Sequence, residues 1–211
     1  MTAGELDFLL GILRREKFAG KHLEIGTAAG GTLCRMMQAF APADRPPFVV
    51  VDPMNYFSNQ LDIVRQNLRT HHLSPESIDF RVQRSDDAFA AARRGGERFD
   101  FILVDGAHHI RYVVDDLRWT QLLHVGGVVC LHDYGVSHGI RLAGDRFMRK
   151  NPRYEKLGCV DSLLALRKTG QPTRAAEITL GDRLWARGLT PLLQAEESVK
   201  KWSKTLRRSL P

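Results

Sequence analysis

Short apolar runs alternate with stretches of helical periodicity along most of the chain. The apolar runs have strand length and are rich in β-branched residues, and they predict seven strands at residues 21–25, 48–51, 78–82, 99–104, 128–131, 156–160 and 163–167. The helical stretches predict helices at residues 32–40, 57–71, 86–94, 110–123 and 140–150, preceded by an amphipathic helix within residues 1–17. This alternation is typical of an α/β fold with a mostly parallel sheet and helices on both faces.

Strand signals stop after residue 170. Residues 1–170 are therefore predicted to form one domain, and residues 171–211 a basic helical appendage. Apolar residues recur in this appendage at spacings near three and four: Leu192, Leu193, Val199, Trp202, Leu206 and Leu210. Such a stripe packs on the domain or on a second subunit in most proteins, which is the favoured interpretation. The alternative is a basic amphipathic helix that lies on an anionic membrane surface.

Charge and composition narrow the class of protein. The formal net charge is +7, but +6 of it lies from Arg167 onward, so the body is nearly neutral and a nucleic-acid groove across it is not expected. No apolar stretch approaches the ~20 residues that cross a bilayer. Glu5, Asp7 and Glu16 mark the first helix as amphipathic, unlike a signal peptide, which predicts a cytoplasmic protein. Membrane binding by the tail would place it at the inner membrane surface.

The three cysteines have no paired spacing. Cys34, Cys130 and Cys159 all fall within predicted core elements. We therefore expect three reduced, buried thiols, and neither a disulfide framework nor a zinc site made of cysteines.

Polar residues follow two of the predicted strands at the point where each strand ends. Asp105 and His108 come after the strand at 99–104, and His132 and Asp133 come after the next one. The carboxyl ends of parallel strands share one edge of the sheet, where ligands bind in open α/β folds, so we expect these side chains to lie together. Two carboxylates with neighbouring imidazoles are suited to holding a metal ion, to transferring a proton, or to both.

A glycine-rich turn follows the first predicted strand. Gly26 and Gly30 stand where the strand must turn into a helix, with Thr27 between them and Glu24 just before them. Glycine permits the dihedral angles of such a turn and the close approach of a ligand, and the helix N-terminus favours an anionic group. A purely structural turn explains the same glycines. Ala28 stands where a dinucleotide-binding fingerprint requires glycine.

An acidic residue also ends the second predicted strand. Asp52 lies about twenty residues beyond the glycine turn, where related nucleotide sites use a carboxylate to bind ribose hydroxyls. Capping of the next helix is the alternative role, although Pro53 and the distance to Phe57 argue against it.

These segments together resemble class I S-adenosylmethionine-dependent methyltransferases. The resemblance is to the macrocin and related sugar O-methyltransferases and to the cephalosporin-biosynthesis methyltransferase-like proteins. It covers roughly residues 23–168 and is most specific where Asp105-Gly106-Ala107-His108-His109 is followed by Leu131-His132-Asp133-Tyr134. It implies a Rossmann-like three-layer sandwich with a seven-stranded, mostly parallel sheet whose last strand is antiparallel.

The resemblance also implies where S-adenosylmethionine would contact the chain. The glycine turn would hold the methionine half of this cofactor, Asp52 its ribose, and Ser85 or Asp86 its adenine. A helix N-cap is the alternative role of Ser85. The implied cofactor residues are Glu24, Gly26, Thr27, Gly30, Asp52, Ser85, Asp86 and Asp105.

A divalent-metal site is a further implication. Asp105, His132 and Asp133 occupy positions that hold Mg²⁺ against substrate oxygens in several relatives. Those relatives often have an acid at position 132, and histidine is better suited to Mn²⁺, Fe²⁺ or Zn²⁺. Ala107 replaces the acidic base of some sugar methyltransferases, which leaves His108 as the nearest group to accept a proton. The alternative is that His132 lies over the adenine or caps its strand, and that the aspartates anchor loop amides.

Other polar residues near these strands have less specific roles. One of the pair His108 and His109 is expected to be structural, because they face opposite ways in an extended segment. The next helix carries Asp115 and Asp116, interpreted as surface or interface charges. In the loop after the fifth strand, Tyr134 and His138 either line the acceptor site or pack the loop.

The sequence thus predicts a methyl transferase acting from S-adenosylmethionine on a hydroxyl of a sugar, glycan or polar secondary metabolite, with metal assistance. His108, Asp105 and His132 are its expected catalytic residues. Its expected partners are this small-molecule or glycan acceptor and a second copy of the chain. One rival is a metal-dependent hydrolase using Asp105, His108, His132 and Asp133, which leaves the glycine turn unexplained. The other is a non-catalytic protein of the same fold that binds a membrane or nucleic acid through its tail.

Overall fold

The protein is built around a mixed β-sheet with helices on both faces. A computed structural model describes residues 1–16, 18–173 and 176–208, with side chains up to residue 196. Within the described residues the sheet has seven strands in the order β3-β2-β1-β4-β5-β7-β6. Strands β1 to β5 pair in parallel, whereas β7 is antiparallel to both β5 and β6. The predicted Rossmann-like fold with a mostly parallel sheet is confirmed.

Strand and helix bounds follow the predicted alternation closely. The strands are β1 His22–Ile25, β2 Phe48–Val51, β3 Ile78–Arg81, β4 Phe99–Val104, β5 Leu123–Leu131, β6 Tyr154–Val160 and β7 Leu163–Lys168. The helices are α1 Ala3–Glu16, α2 Gly31–Gln38, α3 Gln60–Thr70, α4 Ser85–Arg94, α5 Ile110–Asp116, α6 His138–Lys150 and α7 Leu180–Arg208. Short 3-10 helices lie at Pro42–Asp44, Pro75–Ser77 and Leu117–Leu122.

Two apolar layers cover the two faces of the sheet, because successive strand residues point to opposite sides. In β4, Phe101 and Leu103 pack with α1, α2 and α3, while Ile102 and Val104 pack with α4, α5 and α6. Trp119 is fully buried in the second layer, edge-on to Phe99. The near-continuous apolar runs of the central strands are therefore explained by burial on both faces.

The largest difference from the predicted elements lies between residues 110 and 131. The predicted helix at 110–123 ends as an α-helix at Asp116 and continues as a 3-10 helix to Leu122, where Thr120 donates a hydrogen bond to the Leu117 carbonyl. Strand β5 also begins at Leu123 and not at 128. Its first part is exposed and contains Gly126 with φ of 91°, so it lacks the apolar pattern that a sequence prediction needs.

The cysteine prediction is confirmed for two of the three residues. Cys34 and Cys130 are buried free thiols, but Cys159 is an exposed one. The reason is topological, since β6 is the edge strand of the sheet and part of it faces solvent. A short strand sequence does not reveal whether the strand is central or at the edge.

The first part of the appendage packs against the sheet domain. Ile178 and Ala186 are buried in the apolar layer around α5 and α6. Lys168 and Glu177 form a buried ion pair of 2.7 Å, and Arg183 pairs with Asp115 on α5. Further along, Leu193 packs on the same layer, as the packing interpretation predicts, whereas Leu192 is exposed and does not pack. The side chains of Val199, Trp202, Leu206 and Leu210 lie outside the described part.

Candidate active site

The strand register brings the predicted site residues to one edge of the sheet. The last residues of β1, β2, β4 and β5 are aligned: Ile25 pairs with Val51 and Val104, and Val104 pairs with Leu131. The residues that follow these strands are Gly26, Asp52, Asp105 and His132. They therefore emerge side by side at the carboxyl edge, as the sequence predicted.

Gly26 has a structural role that does not depend on any ligand. Its φ is 82°, and a Cβ placed there would lie 2.4 Å from the carbonyl oxygen of Asp105. The turn after β1 thus touches the turn after β4, and only glycine fits between them. Ala28, in the same loop, holds a left-handed conformation with φ of 44°. Backbone strain of this kind is concentrated at functional sites in proteins.

Glu24 and Thr27 place buried polar atoms beneath this loop. Both side chains are buried, and neither Glu24 Oε2 nor Thr27 Oγ1 makes a hydrogen bond of good geometry with a described residue. Burial raises the pKa of the Glu24 carboxyl to about 8, the Thr27 side chain beside it opposes this shift, and the Asp105 and Asp52 carboxylates act in the same direction as burial. Buried polar groups are nearly always paired, so these two atoms are candidates for contact with a ligand.

Asp52 ties the glycine loop to the end of β2. Its Oδ2 accepts hydrogen bonds from the Thr27 amide at 2.9 Å and from Gln60 Nε2 at 3.3 Å, and its Oδ1 accepts one from the Met54 amide at 2.7 Å. It does not cap the next helix, which begins at Gln60. A carboxylate has about four acceptor positions, so one remains for a hydroxyl donor.

Ser85 and Asp86 open α4 at the same edge. Ser85 is the first residue of the helix and not its N-cap, and its Oγ accepts a hydrogen bond from Trp119 Nε1 at 3.0 Å. Asp86 Oδ1 accepts one from Arg84 Nε at 3.3 Å. Both side chains are half-buried. The capping alternative for Ser85 is therefore wrong, and its hydroxyl is held in place by Trp119.

Asp116 is not the surface charge that the sequence predicted. Helix α5 ends there, and the side chain faces the loop after β4, with Oδ2 3.3 Å from the position of a Cβ on Gly106. It is 4% exposed, and burial raises its pKa to about 7. Asp115 does match the prediction as an interface charge, since its Oδ1 lies 2.5 Å from Nε of Arg183 on α7.

Three predicted ligands converge in a cluster that we call the Asp-His-Asp triad: Asp105, His132 and Asp133. One donor atom from each lies within 4.8 Å of the others. His132 Nδ1 is 2.9 Å from Asp105 Oδ1 and 3.4 Å from Asp133 Oδ2. Asp133 has a left-handed φ of 57°, which places its carboxylate beside the ring, and aspartate tolerates this conformation better than most residues.

His132 is held between carboxylates on both sides of its ring. The adjacent Asp105 raises the pKa of His132 to about 9, supported by Asp133 and Glu5 and opposed by burial. No hydrogen bond of good geometry joins its Nδ1 to a described residue, although Asp105 Oδ1 lies only 2.9 Å away. A divalent cation would compete with a proton for this nitrogen.

The two histidines after β4, His108 and His109, have different surroundings, as predicted. His108 Nε2 lies 3.0 Å from Asp133 Oδ2, and its side chain is half exposed. His109 precedes α5, and its ring packs edge-on to Tyr112. His108 is therefore the one that belongs to the site.

Tyr134 and His138 have partners that point to packing. The Tyr134 hydroxyl donates a hydrogen bond to Asp145, and the Tyr134 ring lies against Gly144 of α6. His138 Nδ1 lies 3.0 Å from Glu196 Oε2 on α7. Both residues hold the loop after β5 in place, which agrees with the packing alternative for them.

The sequence prediction missed Glu5, which reaches the triad from the first helix. Its Oε2 lies 3.3 Å from His132 Nε2. Burial acts to raise the pKa of Glu5, but hydrogen bonds from Ser162, Thr2 and His132 outweigh it and lower the pKa to about 2. The only signal in the sequence is Thr2 three residues before Glu5, a spacing typical of a helix capping box.

A comparison with protein families identifies the class of protein. The family model described as a methyltransferase domain matches residues 23–134, more than half of the chain. The chain belongs to this methyltransferase family. The matched residues include the glycine loop, Asp52 and the whole triad, and the enzyme is an S-adenosylmethionine-dependent methyltransferase. Neither the hydrolase nor the non-catalytic alternative is favoured.

Solved structures similar to this methyltransferase confirm the fold. A putative caffeoyl-CoA O-methyltransferase from Staphylococcus aureus has 17% identity and a TM-score of 0.62, over 81% of this chain and 85% of that one. An O-methyltransferase from Bacillus cereus in complex with SAH has 19% identity and a TM-score of 0.64, over 80% and 82%. The TDP-rhamnose 3′-O-methyltransferase CalS11 of calicheamicin biosynthesis has 14% identity and a TM-score of 0.59, over 76% and 77%.

Two further searches give negative results. A search of curated proteins finds no match to the methyltransferase. Among the described residues, no helix is both long enough and apolar enough to cross a membrane.

Proposed function

We propose that the methyltransferase transfers a methyl group from S-adenosylmethionine to a hydroxyl of a sugar, glycan or polar secondary metabolite, with a divalent cation held by the Asp-His-Asp triad. The observation that carries this proposal is the convergence of Asp105, His132 and Asp133 beside the glycine loop, with donor atoms within 4.8 Å of each other. A ligand in the crevice above Gly26 would therefore lie next to a cluster of carboxylate and imidazole donors.

Buried polar atoms support a cofactor at the glycine loop. The buried Glu24 Oε2 and Thr27 Oγ1 are suited to the amino group and carboxyl group of a methionine moiety. Asp52 has acceptor capacity left for a ribose hydroxyl, and Ser85 and Asp86, at the start of α4 on the same edge of the sheet, would contact the adenine. Gly26, Gly30 and Asp105 would complete the contact through their backbone or by close approach.

The residues of the triad fit a divalent cation. Two carboxylates and one imidazole form a donor set that suits Mn²⁺, Fe²⁺ or Zn²⁺ and also accommodates Mg²⁺ through the oxygens. The buried Nδ1 of His132 lies 2.9 Å from Asp105 Oδ1 and 3.4 Å from Asp133 Oδ2, so the three groups already surround a position that a cation could take. Such a cation lowers the pKa of a coordinated hydroxyl and fixes its orientation.

His108 is positioned to accept the proton of the acceptor hydroxyl. Its Nε2 lies 3.0 Å from Asp133 Oδ2, so the carboxylate orients the ring and stabilises the imidazolium that forms. No acidic residue is available at Ala107 for this step. Proton transfer to His108 would leave an alkoxide oxygen to attack the sulfonium methyl of the bound cofactor, with S-adenosylhomocysteine as the leaving group.

A polar acceptor fits the residues around the triad. His108 and Asp133 are both partly exposed there, so hydroxyl-rich molecules would find hydrogen-bond partners. The similar CalS11 structure is that of an enzyme acting on a TDP-linked rhamnose, which supports the sugar class. A second subunit and a membrane contact of the tail stay predictions.

The direct test supplies the methyltransferase with methyl-labelled S-adenosylmethionine, Mn²⁺ or Mg²⁺, and a panel of free sugars, nucleotide-linked sugars and catechols. Release of S-adenosylhomocysteine together with an O-methylated product, located by mass spectrometry, is the expected result. Transfer to a nitrogen or carbon acceptor would show that the hydroxyl class is wrong.

Replacing Asp52 with Ala should weaken the binding of S-adenosylhomocysteine by roughly ten- to a hundredfold. Loss of a hydrogen bond to a charged, buried partner costs about 1.5–3 kcal/mol, and about 1.4 kcal/mol corresponds to a factor of ten. Isothermal titration calorimetry on the full chain measures this change.

The matched control for Asp52 is Gln60→Met. Gln60 anchors the same loop through Asp52 Oδ2 and the Ala28 carbonyl, but its removal leaves the carboxylate in place. We expect a clearly smaller loss of affinity in this variant. Equal losses in both variants would assign Asp52 to loop anchoring and remove it from ribose binding.

A further inference from the structure

The first turn of α1 is fixed by a reciprocal pair of hydrogen bonds. The Glu5 amide donates to Thr2 Oγ1 at 3.2 Å, and the Thr2 amide donates to Glu5 Oε2 at 2.7 Å. This capping box holds the Glu5 carboxylate at the N-terminal end of the helix. Glu5 is nevertheless 1% exposed, which is rare for a charged side chain.

The second oxygen of Glu5 ties α1 to the turn between β6 and β7. Oε1 accepts a hydrogen bond from the Ser162 amide at 2.9 Å and another from the Ser162 hydroxyl. Thr2 Oγ1 donates to Asp161 in the same turn at 2.6 Å. The position of the carboxylate is therefore set by backbone groups of two separate elements before it reaches the triad.

Glu5 Oε2 lies 3.3 Å from Nε2 of His132, on the side of the ring away from Asp105 and Asp133. A carboxylate can only accept hydrogen bonds, so this contact requires the proton of the neutral ring to be on Nε2. When a cation replaces the second ring proton, the lone pair is on Nδ1, which lies 2.9 Å from Asp105 Oδ1 and 3.4 Å from Asp133 Oδ2.

We propose that Glu5 is a positioning residue for the metal site, which fixes the tautomer and the ring orientation of His132 so that Nδ1 serves as the ligand. This inference rests on the proposed metal function of the Asp-His-Asp triad. Metal-binding histidines generally donate their other ring N–H to a carboxylate or carbonyl, and this partner sets both orientation and basicity. The N-terminal helix, which carries none of the family motifs, thereby becomes part of the metal centre.

The substitution Glu5→Gln tests whether the Glu5 carboxylate orients the His132 ring or only anchors α1 to the turn between β6 and β7. Glutamine has the same shape and keeps a carbonyl oxygen for Ser162, but its amide group would donate to Nε2 and move the ring proton to Nδ1. The same amide group cannot accept the hydrogen bond from the Thr2 amide, so the variant also loses that bond of the capping box, and its thermal unfolding midpoint is measured beside its Mn²⁺ affinity. The affinity of the full-length protein for Mn²⁺ alone, measured by calorimetry or by the electron paramagnetic resonance of free Mn²⁺, should fall about 10- to 100-fold.

Two control variants report on anchoring alone. Ser162→Ala removes a hydrogen bond to Glu5 Oε1, and Glu16→Gln removes the ion pair with Arg167 at the other end of α1, while neither changes a group that contacts His132. Both should lower the thermal unfolding midpoint and keep the Mn²⁺ affinity within about threefold of the wild-type value. If they weaken Mn²⁺ binding as much as Glu5→Gln does, Glu5 is only an anchor and the proposal is overturned.

Failure of this inference is distinguishable from failure of the metal assignment. A wild-type protein that binds Mn²⁺ as tightly as the Glu5→Gln variant overturns the role of Glu5 alone. A wild-type protein that binds none of Mn²⁺, Fe²⁺, Zn²⁺ and Mg²⁺ overturns the metal site and this inference with it, while leaving cofactor binding at the glycine loop untouched.

Discussion

An Asp133→Asn variant is expected to lose methyl transfer almost completely, by about a thousandfold or more, while it still binds S-adenosylhomocysteine. Replacing this carboxylate by a neutral amide removes one negative charge from the ligands of the triad and the charged partner from His108. Metal stabilisation of developing charge is worth several kcal/mol, and each 1.4 kcal/mol is about tenfold in rate. The loss is measured as turnover on an accepted hydroxyl compound, and chelation of the wild-type protein should reproduce it.

The variant is well suited to this test because asparagine tolerates the left-handed conformation of Asp133 as readily as aspartate does. The matched control is Asp100→Asn, which breaks a similar pair with His124 at 2.7 Å at the start of β4, at the opposite edge of the sheet from Asp105. We expect this control to retain turnover. Full activity in the presence of a strong chelator would contradict the metal role.

A His108→Ala variant should lose turnover by about 10²- to 10⁴-fold, the usual contribution of a positioned general base. Affinity for S-adenosylhomocysteine and for Mn²⁺ should be nearly unchanged, because the triad ligands stay in place. The change is read from kcat, with both binding constants measured on the same preparation.

His124→Ala provides a closely matched control for this variant. His108 and His124 each have a side chain that is 52% exposed, and each is paired with an aspartate within about 3 Å. Only His108 lies at the carboxyl edge of the sheet. An unchanged rate in the His108→Ala enzyme would remove that residue from the mechanism.

Much of the candidate site was predictable because strand ends are visible in the sequence. The runs that precede Asp52, Asp105 and His132 are apolar enough to be recognised as buried strands, and parallel strands must present their carboxyl ends at one edge. Short-range sequence patterns were therefore sufficient to predict that these residues lie at the carboxyl edge of the sheet. The resemblance to methyltransferases then added the antiparallel final strand, whereas the order of the strands came only from the structure.

Residues whose role depends on distant partners were not predictable. Asp116 is buried because α5 ends there and turns inward, and Cys159 is exposed because β6 is an edge strand. Neither fact is encoded in the neighbouring residues alone. The membrane contact of the tail stays a prediction, since the relevant side chains begin at residue 197, beyond the described ones.

The sequence by itself determined the α/β alternation, the glycine turn and the acids and imidazoles at the strand ends, because these follow from periodicity and from short-range spacing. The tertiary structure decided which of them meet. In the folded chain Glu5 contacts His132, which is 127 positions away. His108 and not His109 lies beside Asp133, and Tyr134 and His138 make packing contacts. The reason is that such contacts depend on how α1, α6 and α7 dock on the sheet, and docking is set by the shape of whole surfaces.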